Sequence, residues 1–150
     1  MSSRQPPKVF LDTNILIAAI FSATGGAREI LRLGEIGAVH LFVSQDVLAE
    51  LEENVLKKKL QHLAIIAIVL EQSGVEIVEP PAVETVQDCQ HFLAYADDAV
   101  VLAAAMDAQV DYFVTLDRQH FLSNLLVPTT LPLLLGAPRD FFAWYRSQLT

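Results

Sequence analysis

The stretch KVFLDTNILIAAI, residues 8–20, decides how the chain folds. Val9, Phe10 and Leu11 read as the apolar end of a strand, and a second apolar run resumes at Ile15. Between them stands Asp12, a carboxylate at the mouth of what the pattern marks as core. Asp-Thr-Asn before an apolar helix is good capping chemistry, so Asp12 has a structural role available to it. What else it does depends on what gathers around it.

Working outward, apolar strands alternate with helices. Strands are expected at 8–11, 39–43, 75–78 and 112–115. Helices are expected at 14–20, 27–33, 47–56, 61–71 and 97–107. Ser44 stands before the helix at 47–56, in a good N-cap position. The C-terminal part carries a short apolar segment near Leu133 and a helix beginning at Pro138. Such alternation predicts an α/β fold, a three-layer α/β/α sandwich around a mostly parallel sheet of four to five strands, Rossmann-like in plan. Residues 1–7, with two prolines, are expected to be a flexible tail, and 8–150 a single domain.

The composition narrows the function. It is 53% hydrophobic and 19% charged, which excludes a disordered chain. The net charge of −8 argues against nonspecific nucleic-acid binding by charge alone, and it suits a protein that concentrates carboxylates around a metal. A single cysteine, Cys89, rules out an intrachain disulfide and a cysteine-rich zinc site, and points to a reducing, cytoplasmic compartment. The longest apolar run, Leu63 to Leu70, has eight residues, far short of the ~20 that span a bilayer. Arg4 and Lys8 before an apolar run imitate a secretion signal, but Asp12 and Asn14 interrupt it. No membrane association is expected.

In a parallel sheet the ligand site lies beyond the carboxyl ends of the strands. Asp12 leaves the first strand there, and Thr115-Leu116-Asp117 leaves the strand at 112–114 on the same rim. Glu50 borders the apolar stripe of its helix, three residues after Val47. Asp98 opens a helix whose next-turn neighbours Val101, Leu102 and Ala105 are apolar, so it is expected to face inward. Asp97 is about 100° away on that helix and stands as the alternative. Each acid alone has an ordinary reading as a cap, a turn residue or a solvated helix residue. As a set they repel by several kcal/mol at a dielectric of about 20 unless a cation intervenes. Oxygen-only ligands suit Mg²⁺ or Mn²⁺.

These segments resemble the PIN-domain nucleases, including the VapC-like toxins and the PilT N-terminus-like proteins. VFLDTNILIAAI is similar to the family's opening motif, VSQDVLAELEENV to its second, and DDAVVLAAAMDAQVDYFVTLDRQHF to its third and fourth. The resemblance covers residues 8–146. It implies that Asp12, Glu50, Asp98 and Asp117 are the catalytic, metal-binding carboxylates, with Asn14 and Thr115 in support. It further implies a Mg²⁺- or Mn²⁺-dependent endoribonuclease, a homodimer, and the toxin of a pair with a cognate antitoxin.

Other features are read from the residues. Arg118 is expected to touch a substrate phosphate, with Arg28 and Arg32 as a second contact. Lys57-Lys58-Lys59 is read as a solvated helix end or an RNA-contacting patch. LAIIAIVL, with no polar face, is expected at a subunit interface. The aromatics at 141–145 are expected to pack a terminal helix onto the sheet. Two rival functions remain: a nucleic-acid or protein binding module with little nuclease activity, and an aspartate-nucleophile phosphatase. The second wants another Asp where Asn14 stands.

Overall fold

The computed structural model describes residues 5–57 and 62–149. Strand β1 (Lys8–Leu11) leads into α1 (Thr13–Phe21) and α2 (Gly26–Glu35). Then come β2 (His40–Val43), α3 (Gln45–Leu56), α4 (His62–Gln72) and β3 (Glu76–Ile77). After α5 (Val83–Gln90) and α6 (Ala96–Asp107) the chain forms β4 (Tyr112–Val114), β5 (Leu134–Gly136) and α7 (Pro138–Gln148). A π-helical turn, Arg118–Leu122, follows β4.

The five strands form one sheet in the order β3-β2-β1-β4-β5, and every pairing is parallel. β1 lies at its centre, between β2 and β4. Val9, Phe10, Leu11, Phe113 and Val114 are wholly buried, and Tyr112 nearly so, because helices cover both faces. Phe10 and Phe113 are register partners, and their rings stack 5.5 Å apart. The fold is therefore the predicted three-layer α/β sandwich, with the fifth strand formed by the apolar segment near Leu133.

The chain leaves β1 toward β2 on one side and returns to place β4 on the other. That reversal makes the gap between the carboxyl ends of β1 and β4 the topological switch point. Asp12 N–H donates to the Val114 carbonyl at 3.1 Å, which extends the pairing one residue past β1.

α5 was not foreseen. On α4, Ile66 is buried, Leu63, Val69 and Leu70 are half-buried, and Ile65 and Ile68 are about half exposed, so the helix keeps an apolar face outside the core. Arg28 and Arg32 have partners within the chain. Arg28 donates to the Ala19 carbonyl, while Arg32 donates to the Ala23 carbonyl and pairs with Glu29, so both hold α2 against the end of α1. Lys57 is exposed and 3.9 Å from Glu53; Lys58 and Lys59 lie outside the described residues, as do residues 1–4. The C-terminal aromatics pack as expected: Phe141 is buried, edge-on to Tyr112. Among the described residues no single helix is long and apolar enough to cross a membrane.

Candidate metal centre

Asp12 is 8% exposed and caps α1. Its Oδ1 accepts the Thr13 N–H at 2.8 Å, and its Oδ2 accepts the Thr115 hydroxyl at 2.8 Å. Thr115 is fully buried, and its Oγ1 also accepts the Asp117 N–H at 3.0 Å. Asn14 spans the two strand ends. Its Nδ2 lies 3.3 Å from Thr115 Oγ1 and 3.4 Å from Asp12 Oδ2, while its Oδ1 accepts the Leu116 N–H at 3.0 Å. The Asp-Thr-Asn run thus caps the helix and also locks β1 to the loop after β4.

Thr13 reaches in another direction. It is buried, and its hydroxyl donates to Glu50 Oε2 at 3.1 Å. α3 starts where Ser44 Oγ accepts the Val47 N–H, and it buries Val47, Leu51 and Val55. Glu50 stands at the edge of that stripe, exposed as a residue but drawn to Thr13. Nothing in the sequence alone marks Thr13 as the residue that meets Glu50.

α6 begins at Ala96, with Asp97 and Asp98 in its first turn, where the helix dipole favours negative charge. The two acids part company. Asp97 is exposed and lines a small groove with Asp46, Glu50 and Glu53. Asp98 turns toward the π-helical turn: His120 Nδ1 lies 2.9 Å from Asp98 Oδ2 and 3.1 Å from Asp117 Oδ2. Asp117 caps that turn, its Oδ1 accepting the His120 N–H at 2.9 Å. The wide π turn carries His120 toward the acids and Phe121 into the core, where its ring meets Phe113. One ligand atom each from Asp98, Asp117 and His120 lie within 4.8 Å of one another. His120 was missed in the sequence; its place three residues after Asp117 is the signal. Arg118 is exposed and enters no ion pair among the described residues.

A family model for the PIN domain matches residues 8–119. The chain belongs to the PIN-domain family. No curated protein matches the sequence. Among solved structures, the chain is similar to VapBC2 from Rickettsia felis bound to a DNA fragment from their promoter, with a TM-score of 0.66 and 20% identity, covering 86% of this chain and 98% of that one. It is similar to DNA-bound VapBC from Salmonella typhimurium, with a TM-score of 0.64 and 19% identity over 87% and 98%. PAE2754 from Pyrobaculum aerophilum matches with a TM-score of 0.61 and 13% identity over 95% and 99%. At such identities these likenesses speak for the fold.

The electrostatics of this PIN domain suit a cation. Burial pushes the Asp12 carboxyl up to about 6, against the lowering effect of its bonds from Thr115 and Thr13; the charges of Glu50 and Asp98 raise it further. Burial also raises Asp98, helped by Asp117, Glu50 and Asp97 and opposed by His120. The Asp98 Oδ2 is buried without a hydrogen-bond partner among the described residues. His120 Nδ1 is within ion-pair range of it but makes no hydrogen bond to it. A buried, unsatisfied carboxylate oxygen beside two further acids fits a hard divalent cation: it supplies the missing partner and offsets the repulsion.

Proposed function

We propose that this PIN domain is a metal-dependent endoribonuclease and the toxin of a toxin–antitoxin pair. The observation that carries the reading is the meeting of Asp98 and Asp117 at His120, near enough to Asp12 and Glu50 for their charges to act on one another, with one buried Asp98 oxygen left without a hydrogen bond among the described residues. Asp12, Asp98 and Asp117 would hold Mg²⁺ or Mn²⁺, with Glu50 completing the set. When bound, the ion supplies a more acidic water and neutralises charge on the phosphate.

The chain's own residues do the rest. Thr115 and Asn14 fix the Asp12 carboxylate, and Thr13 draws in Glu50. Glu50, at the exposed edge, would complete the ligand set or orient the attacking water. Arg118, exposed next to Asp117, meets a phosphate of the incoming strand. Asp98 is the better ligand candidate because it reaches Asp117 and His120, whereas Asp97 faces the groove toward Glu53.

RNA as substrate and a cytoplasmic setting follow from the family resemblance and the single cysteine. An antitoxin partner is supported by the VapBC neighbours, which share the fold. A homodimer built on α4 would cover Ile65 and Ile68; sedimentation of Ile68→Glu as a monomer where the wild type is a dimer would support it, and an unchanged dimer would contradict it.

The decisive test is cleavage of labelled single-stranded and structured RNA with Mn²⁺, Mg²⁺ or EDTA. Cleavage should require metal and fall at least a hundredfold in Asp12→Asn, in line with loss of a group that stabilises the transition state. Absence of cleavage with either ion would favour a binding module. Hydrolysis of a small phosphate ester without RNA cleavage would favour a phosphatase.

A further inference from the structure

Directly behind His120 lies a cavity of about 400 Å³ that the proposed chemistry does not use. Its walls come from the segment before α6 and from the π-helical turn: Gln90, His91, Tyr95, Gln119, His120 and Leu126 are the side chains that give it character. His120 belongs to both places. Its Nδ1 faces Asp98 and Asp117, while its ring stacks on Tyr95 with centroids 4.4 Å apart and planes at 30°. One imidazole thus meets the carboxylates through its Nδ1 and the aromatic wall through its ring face.

The lining defines the occupant. Among the described residues no Asp, Glu, Lys or Arg lines the cavity, so it is suited neither to a phosphate nor to a metal ion. Tyr95 is 54% exposed, although an aromatic ring of that size gains by burial. The side-chain amides of Gln90 and Gln119 and the ring of His91 are exposed and hold no hydrogen bond among the described residues. A flat, neutral ring with donors and acceptors on its edge matches this set, since it stacks on the aromatic face and pairs with the amides.

The wall is also set in advance. Asn124 donates through Nδ2 to the Phe92 and His120 carbonyls, and its Oδ1 accepts the Leu126 N–H. That ties the rim to the turn bearing His120. Tyr95 is the residue that opens α6, three before Asp98, so the distance from aromatic to carboxylate is fixed by a helix start rather than by a loose loop.

We propose that this cavity is a stacking subsite for an unpaired nucleobase next to the scissile phosphate. It selects strands whose base is free to leave its stack, and the amides and imidazole at its rim discriminate between bases. Binding comes from stacking and edge contacts rather than from charge, which suits a chain of net charge −8. The inference rests on the ribonuclease reading of the adjoining site and adds how that site chooses its substrate.

The test uses a short single-stranded RNA carrying the fluorescent base 2-aminopurine, titrated with the full chain in EDTA so that no cleavage occurs. Cleavage of the same RNA with Mn²⁺ is measured in parallel. Saturable quenching is expected with the wild type, retained in Tyr95→Phe and weakened about tenfold in Tyr95→Ala, in keeping with loss of one stacking contact. Leu126→Trp, on the exposed rim, fills the cavity without touching the carboxylates and should remove the quenching while leaving Mn²⁺ binding unchanged. Quenching that is absent in the wild type, or equal in all variants, overturns the subsite. If cleavage persists in that case, the ribonuclease reading stands alone. Quenching that responds to Tyr95 and Leu126, without cleavage under any metal, keeps the base site and removes the ribonuclease reading.

Discussion

β4 joins two regions built on different physics. At its start, Tyr112 packs against Phe141 and Trp144 with ring centroids 5.4 and 5.2 Å away, and Phe141 is wholly buried. Past its end, Thr115 holds the Asp12 carboxylate, and the acids of α3, α6 and the π-helical turn crowd the same rim. The first region gains free energy from every contact. The second gives some of it up: raising Asp12 from 3.8 to about 6 corresponds to about 3 kcal/mol against its ionised form. A few residues therefore separate a region that stabilises the fold from one that the fold must hold in place.

The difference can be broken from either side. Phe141→Ala should have the largest effect on stability, about 3–5 kcal/mol, because it empties a packed site. Thermal unfolding should show that loss equally with and without Mn²⁺. A loss that Mn²⁺ largely repairs would mean that the aromatic region and the rim are one unit.

The pH dependence comes next. Because the folded pKa of Asp12 lies above its unfolded value, the folded state binds more protons between 3.8 and about 6. The contribution is complete below the lower value and is lost as pH rises through the upper one. The metal-free protein should thus lose up to about 3 kcal/mol from this group across that window, and saturating Mn²⁺ should diminish the slope. Denaturant midpoints from pH 4 to 7 measure it, and a metal-free profile that rises through the window would contradict it.

Thr115→Val keeps the shape but removes the hydroxyl that bonds Asp12 and accepts from Asp117. It should destabilise the protein by about 1–3 kcal/mol and weaken Mn²⁺ binding, since it leaves the Asp117 amide unpaired and Asp12 less well held. Unchanged stability together with unchanged Mn²⁺ affinity would show that the bracket is idle.

The two regions were also unequally legible in the sequence. Asp12, Asn14, Thr115 and Asp117 follow within a few residues of short unbroken apolar runs, and the residues past the carboxyl end of a buried parallel strand lie on the rim whatever else the chain does. The aromatic run at 141–145 follows Pro138, a helix starter, and so could be placed as packing. Thr13 was hidden because a hydroxyl inside a capping motif already has a local explanation; only the approach of α3 gives it Glu50. His120 depended on a π turn, whose register no helical or strand period encodes. Arg28 and Arg32 read as paired cations, but the carbonyls they meet exist only because α1 ends beside α2. α5 escaped because VETVQDCQ is short and polar and fully buries only Cys89.

The most direct test of the acidic rim as a cation site is thermal unfolding of the wild type and Asp12→Asn at pH 7.5, in EDTA and in Mn²⁺. Asp12→Asn should be the more stable protein in EDTA by about 1–2 kcal/mol, because it relieves the burial of charge. The wild type should gain in Tm with Mn²⁺, and the variant should gain far less. A wild type indifferent to Mn²⁺, with a variant less stable in EDTA, would mean that Asp12 is a structural cap and that the rim holds no metal.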